Sequence, residues 1–366
     1  MRIERHPLLT DSLATQRDIV SFHYGASASG LKAYLQTALH ADELPGMLVL
    51  HHLRPMLAQA EQRGEIRGEI VVVPVANPAG LSQTVLHGQL GRYELRSGEN
   101  FNRAYPDFAT LIGDQLDDQL GDDPRLNTRL IRDAMRRHLD AIAPTTELES
   151  MRHTLIALAH DADVVFDLHC DTESIPHLYT EAPNLPRIEP LARYMQVPLV
   201  LLGTGDSGQC FDESCSQTWW RLADRYRDRF PIPPSCDAVT IELRGQADVD
   251  HELARVDADA IYQTLIGRGL IDGTPKEAPA LQCKALPYSH VASPVAPCTG
   301  VIAFLKKPGA RVEAGETIAQ IIDPLTSVTT DVKANAGGLL FARNTLRFAT
   351  RGMVLCRIAG DSPTTP

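Results

Sequence analysis

Between about residues 30 and 270, short apolar runs alternate with stretches whose apolar positions recur every three or four residues. The runs Lys32–Leu39, Glu69–Val75, Asp163–Leu168, Val197–Leu202 and Ala238–Leu243 are brief and mostly rich in β-branched residues, which predicts strands. The periodic stretches Gly46–Arg63, Pro124–Ala143, Leu148–Ala159, Ser216–Arg229 and His251–Ile266 predict amphipathic helices. Strands and helices in alternation predict an α/β fold, with a mixed, largely parallel sheet and helices on both its faces. Such sheets place ligands at the carboxyl ends of their strands. His40, Asn77, His169 and Glu242 all fall at that end of a predicted strand.

The pattern changes after about residue 272. A Pro- and Ala-rich stretch, Gly273–Cys283, gives way to short β-type runs broken by Gly and Pro, such as Gly300–Leu305 and Gly337–Phe341. Two units are therefore expected, a catalytic domain over 1–275 and a small all-β domain over 285–366. The segment from Lys307 to Ala319 resembles the turn of the biotinyl/lipoyl-type sandwiched hairpin. The stretch Asp323–Thr330 lacks the lysine that such carriers modify, so the domain is read as a cap over the site and not as a carrier.

Chemistry enters with His40-Ala-Asp-Glu43. An imidazole and a carboxylate three residues apart on one tight turn can converge on one Zn²⁺. A third ligand is offered by His169, where the apolar run Val164-Val-Phe ends in Asp-Leu-His. Two imidazoles and a carboxylate leave a fourth position for water, as a catalytic zinc requires. Glu242, in Thr240-Ile-Glu-Leu-Arg244, is the candidate base, and Asp167 can orient the His169 ring from two residues back. Arg103 beside Asn102 offers a fork and an amide for a substrate carboxylate or carbonyl.

In order along the chain, the HxxE pair, Asn77-Pro-Ala-Gly80, Asn102-Arg103, Asp167-Leu-His169 and Thr240-Ile-Glu-Leu-Arg244 resemble the zinc carboxypeptidase superfamily. Within it the chain is most similar to the succinylglutamate desuccinylase/aspartoacylase family, over about residues 20–270, and the β domain also matches. The resemblance implies His40, Glu43 and His169 as zinc ligands, Glu242 as general base and acid, and Asn102 and Arg103 as substrate-binding residues. It leaves Arg92 and Arg96 as alternative oxyanion arginines.

Each residue also has a plainer reading. The histidines can be strand-end residues bonded to backbone, Glu242 can pair with Arg244, and Arg103 can lie on the surface. Gly203–Gly208 matches GxGxxG, but a dinucleotide fingerprint opens a helix at its last Gly, so a loop rimming the zinc pocket is the better reading. His51-His52 is expected as a solvated or packed pair, and Trp219-Trp220 as core and rim packing.

A net charge of −11 without any polybasic run argues against a nucleic-acid partner. No apolar run nears the roughly 20 residues of a membrane span, and the charged start lacks the apolar core of a signal peptide. Seven scattered cysteines without a CxxC pair favour reduced thiols and a cytoplasmic location. The expected activity is zinc-dependent cleavage of the amide bond of a small N-acyl amino acid, with a homo-oligomer compatible with the sequence. The alternatives are a carboxypeptidase acting on peptides and a silent zinc or small-molecule binding protein. Asp171, Glu173 and Asp212-Glu213 near the site point to a basic or diamino acid as the amine.

Overall fold

The computed structural model describes residues 1–26, 30–203, 205 and 208–363. Among them, nine strands form the central sheet in the spatial order Arg2–Pro7, Asp18–Gly25, Glu69–Val73, Lys32–Thr37, Val164–Asp171, Asp237–Gly245, His177–Glu181, Val200–Gly203, Ala285–Pro287. The central pairings of Lys32–Thr37 with both its neighbours, and of Val164–Asp171 with Asp237–Gly245, are parallel. The strand His177–Glu181 runs antiparallel to Asp237–Gly245, and the two amino-terminal strands are antiparallel as well. The sheet is thus mixed and largely parallel, as the alternation predicts.

Five strands and five helices lie where the pattern puts them, with ends moved by a few residues. The largest shift is at the helix Phe211–Arg225, predicted from Ser216. Its first turn carries Asp212 and Glu213, whose polarity reads as loop although acids suit a helix amino terminus. The strands Arg2–Pro7 and His177–Glu181 and the helices Phe108–Leu116 and Leu185–Tyr194 add to the predicted set. Arg2–Pro7 is an edge strand exposed along most of its length, so it carries no apolar alternation.

Successive strand side chains feed opposite faces. Tyr34, Val71 and Val165 join Phe108, Ile131, Leu155 and Trp219 on one side, under the helices Phe108–Leu116, Pro124–Asp140, Glu147–Ala159 and Phe211–Arg225. Leu35, Ile70, Val72 and Phe166 join Leu53, Ile188 and Ile261 on the other, under Pro45–Gln62, Leu185–Tyr194 and His251–Gly267. The helix Pro45–Gln62 starts at a proline in its first turn and buries Val49, Leu50, Leu53, Leu57 and Ala60, one stripe at helical spacing. No helix among the described residues is long and apolar enough to cross a membrane.

The carboxy-terminal strands form two small sheets around Ile302, Ile318, Ile321, Val332, Leu340 and Ile358. Ala285–Pro287, at the start of the expected β domain, pairs with Val200–Leu202 as the last strand of the central sheet. The catalytic domain in turn lends Glu173–Ser174 to the small domain, where it pairs with Ala342–Arg343 on the strand Gly338–Arg343. Thr172 Oγ1 donates to the Arg343 carbonyl at 2.8 Å and the Ile175 amide to the Phe341 carbonyl at 3.0 Å. Phe341, fully buried, packs with Leu199, Leu201 and Ile175 under this seam.

The segment just beyond His169 is therefore held by the second domain. Phe341→Ala removes the largest side chain of the seam and is expected to destabilise the protein by about 3–5 kcal/mol. Urea unfolding measures this, and an unchanged midpoint would mean that the seam does not bear on stability.

Candidate active site

The turn that carries the first two candidate ligands follows Lys32–Thr37 directly. Ala38 takes φ 57°, a left-handed conformation that swings the chain out of the sheet. The Glu43 amide then donates to the His40 carbonyl at 3.1 Å, closing a tight turn. The chain at Gly91 passes so close that a Cβ there would lie 2.1 Å from the Asp42 nitrogen. The Ala41 amide donates to the Gly91 carbonyl at 2.9 Å, so the next residue, Arg92, is fixed against the turn.

His169 reaches the same point from the neighbouring strand. Glu43 stands between the two rings, with Oε1 3.0 Å from His40 Nδ1 and Oε2 2.8 Å from His169 Nδ1. The Cys170 amide donates to Oε2 at 3.1 Å. All three side chains are buried, and one ligand atom from each lies within 4.8 Å of the others.

The surroundings of His40 fix which of its ring nitrogens carries a proton. The Asn102 amide donates to Asn100 Oδ1 at 2.8 Å, which marks that atom as an acceptor. His40 Nε2, 2.9 Å from the same oxygen, is then the donor, and Nδ1 keeps its lone pair. Arg92 Nη1, which can only donate, lies 3.2 Å from His40 Nδ1 and 3.1 Å from Glu43 Oε1. On His169 it is Nε2 that faces a carboxylate, Asp167 Oδ2 at 3.1 Å, in an ion contact too poorly aligned for a hydrogen bond. Asp167 Oδ1 accepts from Gln36 Nε2 at 3.0 Å, and Tyr34 donates to Gln36 Oε1 at 2.9 Å. Both Nδ1 atoms and the carboxylate thus converge on one point, where positive charge would be stabilised.

The electrostatics agree. Burial opposes it, but the two imidazoles hold the Glu43 carboxyl well below the usual range. Burial lowers His40 and keeps it neutral. Burial would lower His169 too, yet Asp167 and Glu43 outweigh it and raise the ring well above its ordinary value. Glu242 lies level with His169 on the adjacent strand. Burial first, then the Glu43 carboxylate, pushes its carboxyl up to about 8. Its Oε2 is buried without a hydrogen-bond partner among the described residues.

A cavity of about 480 Å³ opens over this group, lined by His40, His169, Glu242, Arg92, Asn102 and Arg103, among others. Asn102 is pinned at its floor, its Oδ1 accepting from the Phe211 amide at 2.8 Å. Arg103 donates to the Asn102 carbonyl at 2.6 Å and forms no ion pair among the described residues.

The model of the succinylglutamate desuccinylase/aspartoacylase catalytic domain matches residues 29–267. The chain belongs to that family. No functionally curated protein matches it. Among solved structures, a family protein from Shewanella amazonensis is similar at 23% identity and TM-score 0.86, over 98% of both chains. A second from Shewanella frigidimarina shares 22% identity at TM-score 0.85, over 100% of this chain and 99% of that one. The ectoine utilization protein EutE (DoeB) from Ruegeria pomeroyi, in a product-bound structure, is more distant at 16% identity and TM-score 0.68, over 97% and 93%. These likenesses extend the family fold through the carboxy-terminal domain.

Several candidates fall elsewhere in this family member. Arg96 is largely exposed and pairs with Asp11 at 3.1 Å, outside the cavity, which leaves Arg92 as the arginine at the ligand group. Glu173 is taken up by Arg343 and Arg347 and so ties the two domains together instead of lining the cavity. Asp171 lines a second cavity of about 350 Å³, which adjoins the first at Arg92, Glu242 and Arg357. Arg244 pairs with Asp257 and not with Glu242. Asn77 caps a short helix through the Gly80 amide and holds the Leu39 carbonyl at 2.9 Å, supporting the ligand turn from behind. His52 bonds His251 at the surface. Of the GxGxxG stretch, Thr204, Asp206 and Ser207 lie outside the described residues, while Gly203 lines the cavity.

The cavity also holds residues that the sequence does not single out. Tyr288 and Arg357, beyond the catalytic domain, reach its wall, with Arg357 Nη1 3.5 Å from Tyr179 Oη and 3.7 Å from Asp171 Oδ2. Glu181 lines it as well, together with Asp212 and Glu213. Arg357 sits in an ordinary β-run, with no local signal of its role.

Proposed function

We propose that this chain is a zinc-dependent deacylase that hydrolyses the amide bond of a small N-acyl amino acid. The observation that carries this reading is the pairing of Glu242 with His169 on adjacent strands, which sets a buried, unpartnered carboxylate oxygen beside the converging ligand atoms. The donor set fits the metal: two imidazole Nδ1 lone pairs and a carboxylate, each ring backed by an acceptor on its other nitrogen. A Zn²⁺ held by His40, Glu43 and His169 supplies a Lewis acid for the scissile carbonyl and makes water more acidic.

The remaining steps belong to side chains. Glu242 Oε2 takes the proton from the attacking water and returns it to the leaving amine; its raised pKa suits a group that must both accept and release a proton near neutrality. Arg92, which shares its Nη1 hydrogens with His40 and Glu43, is placed to stabilise the oxyanion. Arg103 and Asn102 offer a fork and an amide to the substrate carboxylate. The cavity volume is in the range of small-molecule sites, and its wall includes Tyr288 and Arg357 from outside the catalytic domain, which favours an acylated amino acid over a peptide.

Two measurements test this reading. Elemental analysis is expected to find about one zinc per chain, and most of it lost in His169→Ala; full retention would move the metal elsewhere. Glu242→Gln keeps the shape and removes the base. Turnover is expected to fall at least about 10²-fold with zinc content unchanged, and near-normal turnover would place the base on another residue.

A further inference from the structure

Part of the cavity wall away from Glu43 in sequence and sheet position is made of carboxylates. Glu181 ends the strand His177–Glu181, and Asp212 and Glu213 open the helix Phe211–Arg225. Acids in a first turn commonly serve the helix itself, and Glu213 does so by accepting from the Cys210 amide at 3.3 Å. Asp212 turns to the sheet instead, where Oδ2 accepts from Thr240 Oγ1 at 2.9 Å. Ser216, one turn further along the helix, donates to Glu181 Oε2, which also accepts from Asn184 Nδ2 at 3.0 Å.

Glu181 Oε1 is different. The residue is only 5% exposed, yet this oxygen has no hydrogen-bond partner among the described residues. The Trp220 indole comes near and eases the burial, but its N–H is unbonded as well. Neither Glu181 nor Asp212 has an ion pair with a lysine or arginine among the described residues. Burial pushes the Glu181 carboxyl up to about 7 and, with Glu213 adding to it, the Asp212 carboxyl to about 6. A buried carboxylate without a donor is costly, and a cationic donor would relieve it.

We propose that Glu181 and Asp212 form a cation subsite for the far end of the substrate, so that the acylated amine belongs to a diamino acid with a second, positively charged nitrogen. Thr240 and Glu242 are two residues apart on one strand, about 7 Å at the usual rise. Asp212, bonded to Thr240, therefore stands one such step from the base, within reach of a side chain of a few methylenes. An acylated aspartate or glutamate would instead bring its side-chain carboxylate against Glu181 and Asp212, which disfavours it.

This inference rests on the deacylase reading, and two measurements on the zinc-loaded, full-length protein separate the two. Turnover of Nα-acetyl- and Nα-succinyl-ornithine is compared with that of the norvaline and aspartate analogues. The ornithine compounds are expected to exceed norvaline at least about tenfold in kcat/KM, the scale of a charge-assisted hydrogen bond. Glu181→Gln, and independently Asp212→Asn, should bring that ratio towards one. Calorimetry of free ornithine against norvaline reads the subsite without turnover, and the wild-type preference should shrink in both variants. Turnover that ignores the cation, or equal binding of ornithine and norvaline, would overturn the subsite and leave the deacylase standing. Cation-selective binding without turnover of any analogue would keep the subsite and remove the deacylase.

Discussion

Two imidazoles and a carboxylate meet in one buried group, and much of the site's architecture answers that one electrostatic demand. His40 Nδ1, His169 Nδ1 and the Glu43 carboxylate converge, with Asn100 Oδ1 and Asp167 Oδ2 against the rings' other nitrogens. Arg92 donates to Glu43 from one side, and the carboxylates of Asp167 and Glu43 raise the proton affinity of His169 against its burial. Buried polar groups held against one another in this way require a stiff frame. The frame is the centre of the sheet, where side chains down to Gln36 and Tyr34 are committed to holding Asp167.

The register of two parallel strands then sets the rest of the chemistry. Because Thr240 lies opposite Asp167 and Glu242 opposite His169, side chains two residues apart form rungs that face one cavity. A slip by one residue would turn Glu242 into the apolar layer under the helices. The β-bulge between Glu242 and Gly245, with Arg244 at φ 65°, re-aims the strand just past the base and sends Arg244 to Asp257. That is why Arg244, two residues from Glu242, does not neutralise it.

What the sequence makes legible follows from how local each signal is. The candidate ligands His40 and Glu43 share one turn, and His169 and Glu242 end apolar runs, so periodicity and residue type single them out as the residues that the fold brings together. The central strands are apolar on both faces and stand out for the same reason. Arg2–Pro7 is polar on both faces, and His177–Glu181 mixes a buried histidine, threonine and glutamate with its apolar residues, so neither announces a strand. Arg357 and Tyr288 enter the cavity only because the second domain folds back on the first. Glu173 illustrates the reverse error: close to a ligand in sequence, it is turned outward by the strand pairing that joins the domains.

The second domain constrains the site through that same pairing. A cap that rested on the cavity mouth through side chains alone would be free to shift. Here the chain leaving His169 becomes a strand of the small domain within a few residues, and the chain entering the small domain completes the edge of the central sheet. Backbone hydrogen bonds run both ways across the seam, with Phe341 buried beneath it. Arg357 is thereby carried to the wall of the cavity that Arg103, Glu181 and Asp212 also line. The same 480 Å³ space is lined by arginines and carboxylates, and its shape depends on the domain seam as much as on the turn that carries His40 and Glu43.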